Sequence, residues 1–293
     1  MNAMLQLTGR NLRIFFRNRT TLLFILLPLV ILAILYPLLL TDLHAAAAYG
    51  FSPDVRAARW LADSWIAAGV PVVLAFTAAL GALGAFSRDR QERRGRDFGV
   101  SPLRGAQRAG GYALAALIAA NLTALAAYAI LQTWIHWRYG LIPDPREILF
   151  GAGYTLLGAT HAAAVCLFLA SLLHNGGAFA AMSAALGTLI GFLSGVFIPV
   201  GMLLPPVRVV IQAFPASQAV SLLRQTLTYR ATAQVFAKAG AADIAGYQSY
   251  FGVTAMFQDR VITPFWILIL LAATTIVLFA IALPLAARDR RMD

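Results

Sequence analysis

Few residues in this chain are of types and spacings that do covalent chemistry. Asp89, Glu92 and Asp97 lie close enough in sequence to suggest a hard-cation site. Five arginines (Arg88, Arg90, Arg93, Arg94, Arg96) are interleaved with them. Those charges neutralise the carboxylates, so no metal is expected there. His161 is the one ionisable group well inside an apolar block. It has no carboxylate partner or evident nucleophile nearby, so it reads as a packed, hydrogen-bonded residue rather than a proton relay. Cys166 is the single cysteine and cannot form an internal disulfide. The sequence has no GxxxxGK[ST] phosphate loop. No catalytic residue is assigned, so the chain's own work is expected to be non-covalent.

The composition says where that work takes place. Of 293 residues, 60% are hydrophobic and 12% charged, and mean hydropathy is +0.75. A soluble domain carries about a quarter charged residues. Half that amount is too little polar surface for a water-exposed globule, which excludes an ordinary cytosolic enzyme, a disordered tail and a disulfide scaffold. Six apolar blocks reach the roughly 17–25 residues that a membrane crossing needs. They cover about 22–40, 65–86, 112–135, 149–173, 179–199 and 264–287, and none contains Asp, Glu, Lys or Arg. The expected fold is an all-α polytopic membrane protein, a single transmembrane domain over residues 1–293. The first block is longer than a signal-peptide core, so it reads as an uncleaved span.

Charge gives the orientation. With six spans, fourteen basic and five acidic residues fall on the side of the termini, against nine basic and seven acidic on the other. The positive-inside rule then makes both termini cytoplasmic. The net charge of +11 thus reads as topology and partner docking. Nucleic acid is not an expected partner.

Four segments are singled out between and within the spans. Gln6, Arg10, Arg13 and Arg17 share one helical face, with Leu5, Leu12, Phe15 and Phe16 opposite, as in an interfacial helix over residues 1–20 lying on membrane lipids. The loop 87–111 is the densest run of charge and forms a broken elbow suited to a soluble partner. Its candidate docking residues are Arg93, Arg94, Arg96, Asp97, Phe98, Ser101, Pro102 and Arg104. On the fifth block, Gly187, Gly191 and Gly195 form a GxxxGxxxG row, a candidate for close helix packing within the chain or across a dimer. In the outer loop 200–263, apolar runs of about ten residues are punctuated by prolines. Phe197, Pro199, Pro205, Pro206, Phe214 and Pro215 mark a re-entrant hairpin that dips in from outside, with Arg224 at its end near the headgroups. No chemistry is assigned to residues 231–260.

Three stretches carry a family resemblance: Phe15 to Ile31, Arg93 to Tyr112, and Ser194 to Leu227. With the order of parts, they make the chain similar to the membrane subunit of type 2 ABC exporters. The DFGVSPLR run from Asp97 to Arg104 looks closest to drug and peptide-antibiotic exporters. The resemblance implies that ATP and Mg are bound by a separate ATPase, present in two copies, and that a second permease subunit completes the transporter. It implies that Arg93 to Arg108 matches the coupling helix, that the N-terminal helix matches the connecting helix, and that the hairpin closes the exit. The expected activity is ATP-driven export of a hydrophobic or amphipathic solute across a bacterial inner membrane. Two other classes remain at this stage: a membrane enzyme acting on lipid, and a non-transporting immunity or sensor protein.

Overall fold

The computed structural model describes residues 3–36, 41–91, 104–257 and 260–288. Among them are twelve α-helices, one 3₁₀ turn and a two-stranded ribbon. In chain order the helices are α1 (Ala3–Arg17), α2 (Arg19–Leu35), α3 (Thr41–Tyr49), α4 (Val55–Gln91), α5 (Gly105–Tyr139), α6 (Pro145–Leu172) and α7 (Gly176–Leu193). The 3₁₀ turn Val200–Met202 precedes α8 (Pro205–Ala213), α9 (Pro215–Leu227), α10 (Tyr229–Val235), α11 (Ala241–Tyr250) and α12 (Pro264–Ala287). Strands β1 (Met256–Phe257) and β2 (Arg260–Val261) pair antiparallel just before α12.

Five helices, α4, α5, α6, α7 and α12, are long and apolar enough to cross a membrane. That is the make-up of a multi-pass membrane protein. The expected first span falls on α2, a helix of 17 residues, and residues 37–40 of that block lie outside the described residues. The helices overrun the apolar blocks. α4 extends ten residues before Trp65 and continues to Gln91, because backbone hydrogen bonding does not stop where water begins. α7 departs in the other direction. It was expected to run to Pro199 but ends at Leu193, because Gly195 takes the left-handed conformation (φ +64°). Val196 N–H then donates to Gly191 C=O and Gly195 N–H to Phe192 C=O, both at 2.9 Å, which is a Schellman stop.

α4 is the axis. It packs most extensively against α5 and also touches α2, α3, α6, α7 and α9. Nearly all of its apolar length is buried inside the protein. Alanine and glycine make this feasible, since small side chains let helix backbones approach closely in lipid. On α5, Ala109, Ala113, Ala116, Ala120, Ala124 and Ala127 face inward, while Leu122 and Ile130 face out. Such an inversion is stable where the surroundings are as apolar as leucine. α7 and α12 are peripheral and expose broad apolar faces.

The bundle has two distinct ends. At the first, α1 lies against the start of α5, the end of α4 meets the end of α6, and Gly105 of α5 abuts the Ala287 carbonyl of α12. At the second are α3, the consecutive helices α8 and α9, α10, α11 and the ribbon. Trp137, Phe150, Phe265 and Trp266 are exposed around this second end, in the manner of an aromatic belt.

Candidate functional site

The first end is organised by Asp89. It closes the apolar part of α4 and is buried. The Arg10 guanidinium grips it with both nitrogens, Nη1 to Oδ2 at 2.8 Å and Nη2 to Oδ1 at 3.2 Å. Tyr112 Oη–H on α5 donates to the same carboxylate at 2.5 Å. The hydrogen bond to Asp89 raises Arg10 above the ordinary guanidinium range. Thr8 Oγ1 donates to Gly111 C=O at 3.3 Å. Gly110 and Gly111 have no side chains to hold Met4 and Leu7 away, so α1 lies flush on α5.

This divides the surface of α1 into three faces. Leu7, Thr8, Asn11 and Phe15 are buried against the bundle. Leu5 and Phe16 are exposed and apolar, and Arg13 and Arg17 are exposed and basic. Sequence reasoning had Arg10, Arg13 and Arg17 as one equivalent row and Phe15 beside Phe16. The structure makes Arg10 an anchor instead, and turns Phe15 inward. The visible signal was Asp89 itself, an acid at the end of a long apolar block, which needs a cation once the helix packs.

Beyond Asp89, Arg90 stacks on Phe86 at 4.4 Å and donates to Leu173 C=O at 3.0 Å, tying α4 to the end of α6. Of the candidate docking residues, Arg104 is described. It is exposed and caps α5, its backbone N–H donating to Gln107 Oε1 at 3.1 Å. Arg93, Arg94, Arg96, Asp97, Phe98, Ser101 and Pro102 lie outside the described residues. The segment that holds them joins the two helices that meet at Asp89.

The second end is organised by Arg224, and here the structure corrects the sequence. Arg224 was expected near headgroups, but it is 1% exposed. Its side chain points from α9 across to α4, where it lies 4.1 Å over the Trp65 ring. It donates to the carbonyls of Gly195 (2.7 Å), Phe251 (3.2 Å) and Trp65 (3.5 Å). The first two are carbonyls at helix ends, with no helical partner of their own. One cation thereby ties α9 to α4 and to the ends of α7 and α11. Trp65 Nε1–H donates to the same Phe251 carbonyl at 2.7 Å, and His44 of α3 stacks on Trp65 at 5.1 Å.

α9 packs into the bundle against α6 and α4. A Cβ on Gly158, midway along α6, would lie 3.3 Å from Ala219 of α9 and 3.4 Å from Val72 of α4. Pro205 and Pro215 begin α8 and α9, where a missing N–H costs nothing. Pro206 is the second residue of α8, and Pro199 leads into the 3₁₀ turn. Phe214 is the hinge between α8 and α9, and Phe197 packs on Phe192. The glycine row is broken up. Gly187 has nothing within 4 Å, Gly191 makes room for the Phe197 ring, and Gly195 lies beyond the helix. Among the described residues the row therefore lines no helix–helix contact.

Two other buried polar groups have partners, although His161 Nε2 has none among the described residues. Asp63 accepts from Tyr139 Oη at 2.6 Å and Thr41 Oγ1 at 2.7 Å, joining α3, α4 and α5. His161 Nδ1 lies 3.0 Å from Thr275 Oγ1 on α12. No group of His, Cys, Asp or Glu among the described residues is arranged to hold a metal.

The fold and these two ends define a polytopic helical membrane protein built around one long central helix. No protein-family model matches the chain, and no curated protein matches it.

Proposed function

We propose that the chain is the transmembrane subunit of an ATP-driven exporter in a bacterial inner membrane, with six spans and both termini in the cytoplasm. It moves a hydrophobic or amphipathic solute, such as a drug, a peptide antibiotic or a lipid-linked molecule. ATP and Mg are bound by a separate soluble ATPase, present in two copies. A second permease subunit, identical or related, completes the transporter.

The observation that carries this reading is the continuity from Asp89 to Trp65. The charged segment 92–104 leaves α4 directly after the Asp89 junction and returns into α5. A soluble partner bound to it pulls on α4, α5 and, through Arg10, α1 together. α4 then continues as one helix, through Pro71, to Trp65, where Arg224 holds the hairpin. Movement at one end is thus delivered to the other by one helix. The exposed faces of α7 and α12 leave room for lipid and for a second permease subunit.

The test is co-purification and reconstitution. The chain should co-purify with an ATPase and stimulate its ATP hydrolysis in vesicles. Replacing Arg93, Asp97, Phe98 and Arg104 together should abolish assembly or uncouple hydrolysis from export. Normal assembly and export by that variant would sink the coupling assignment.

A further inference from the structure

Arg224 has an unusual neighbourhood for a buried cation. A buried charge is stable only when paired and hydrogen-bonded. Among the described residues no carboxylate pairs with Arg224; its partners are three carbonyls and a ring. A guanidinium has five N–H groups, so two remain after those three bonds.

Arg224 also lines a cleft between the hairpin and α11. Two more of its lining residues carry buried atoms with no protein partner, Ser194 Oγ and Gln218 Oε1. Both residues are more than nine-tenths buried. The Gln218 amide nitrogen is already committed to Gln212 C=O at 3.0 Å, which leaves its oxygen facing the cleft. The rim residues Gln212, Ser249 and Met256 are half-exposed, so the cleft is reachable from the second end. Its cavity is about 30 Å³. One water needs roughly 10–15 Å³, so two oxygen-sized positions fit.

We propose that this cleft binds one oxyanion group, a carboxylate or a phosphate, through Arg224 and Ser194. One oxygen accepts from the guanidinium and the other from the Ser194 hydroxyl. Those two oxygens fill the cleft and the rest of the group lies at its open rim, while Gln218 Oε1 lines the same cleft. The bound charge supplies the counter-anion that Arg224 lacks, and so fastens the hairpin to α4. This inference is independent of the transport reading.

The source of the group is either a free anion or the headgroup of an anionic lipid, and the experiment separates them. The full chain, in a neutral detergent at constant ionic strength, is titrated with inorganic phosphate, acetate, dioctanoyl phosphatidylglycerol and dioctanoyl phosphatidylcholine while its melting temperature is followed. A ligand that binds only the folded state raises that temperature saturably. Saturation by phosphate or acetate identifies a free anion; saturation by phosphatidylglycerol alone identifies a lipid headgroup. Either result supports the site. Ser194→Ala removes a hydroxyl that bonds nothing in the protein, so its unliganded melting temperature should match the parent while affinity falls roughly tenfold. Gln218→Glu, nearly the same size, should abolish binding by repulsion. No saturable shift with any of these ligands, or equal shifts in parent and both variants, overturns the proposal and leaves the cleft to water.

Discussion

Asp89 serves two donors from two helices, so its loss orphans both. Asp89→Ala should destabilise the protein by about 1–3 kcal/mol, seen as a lower melting temperature and faster hydrogen exchange over residues 3–17. Arg13→Ala, on the exposed face of the same helix, should stay within about 0.5 kcal/mol of the parent. Arg224→Lys keeps the charge but loses the planar fork that reaches three carbonyls and stacks on Trp65. We expect it to cost roughly 2–3 kcal/mol and to open residues 194–256 to protease. The exposed pair Asp42–Arg59 behaves differently. The hydrogen bond from Arg59 (Nε to Oδ1, 2.6 Å) holds Asp42 below the ordinary carboxylate range. A depressed carboxylate contributes above its unfolded pKa and stops contributing as pH falls through the folded value. Acidification should therefore loosen only the outer face of α3, read as a small rise in hydrogen exchange over residues 41–49 toward low pH, while Thr41 and His44 keep the helix on α4.

At the scale of elements, the glycines of α7 make opposite predictions. Gly191→Ala drives a Cβ into the Phe197 ring and should cost about 1–3 kcal/mol. Gly187→Ala meets open space and should leave the melting temperature of the isolated chain unchanged. If crosslinking shows that Gly187→Ala weakens a dimer, the row acts between copies of the chain. The sequence made the long helices readable because lipid demands uninterrupted apolar runs, and the α12 bounds agree with the expected block. It misplaced the end of α7, because one left-handed glycine outweighs four further apolar residues. It also missed α3 and the depth of Arg224, since neither follows from hydropathy. Arginine beside broken apolar segments suggests headgroups. Only the folded chain supplies three accepting carbonyls and a tryptophan at the right distance. The prolines of this segment read in the sequence as breaks between apolar runs; that Pro205 and Pro215 start helices, where no N–H is needed, emerges only in the fold.

For the whole molecule, the two ends can be assigned to sides of the membrane directly. Cys166 is the sole cysteine and is fully buried, so a Cys166→Ala chain is a clean background for labelling. Single cysteines at Arg13 and Lys238 should react with a membrane-impermeant maleimide from opposite faces, Lys238 in intact cells and Arg13 only after lysis. Equal reactivity in intact cells would refute the proposed orientation and with it the direction of export.

The central helix carries one more consequence. α4 is fastened by Asp63 near one end and by Asp89 near the other. At 1.5 Å per residue the apolar stretch 65–86 between those carboxylates is about 33 Å long, against roughly 30 Å of hydrocarbon in an average bilayer. The surplus is absorbed by tilt or by local thickening of the bilayer. Because α4 also links the two functional ends, acyl-chain length becomes a control on the protein. Reconstitution in a series of phosphatidylcholines from fourteen to twenty-two carbons should give an optimum of coupled activity, with losses in the thinnest and thickest bilayers.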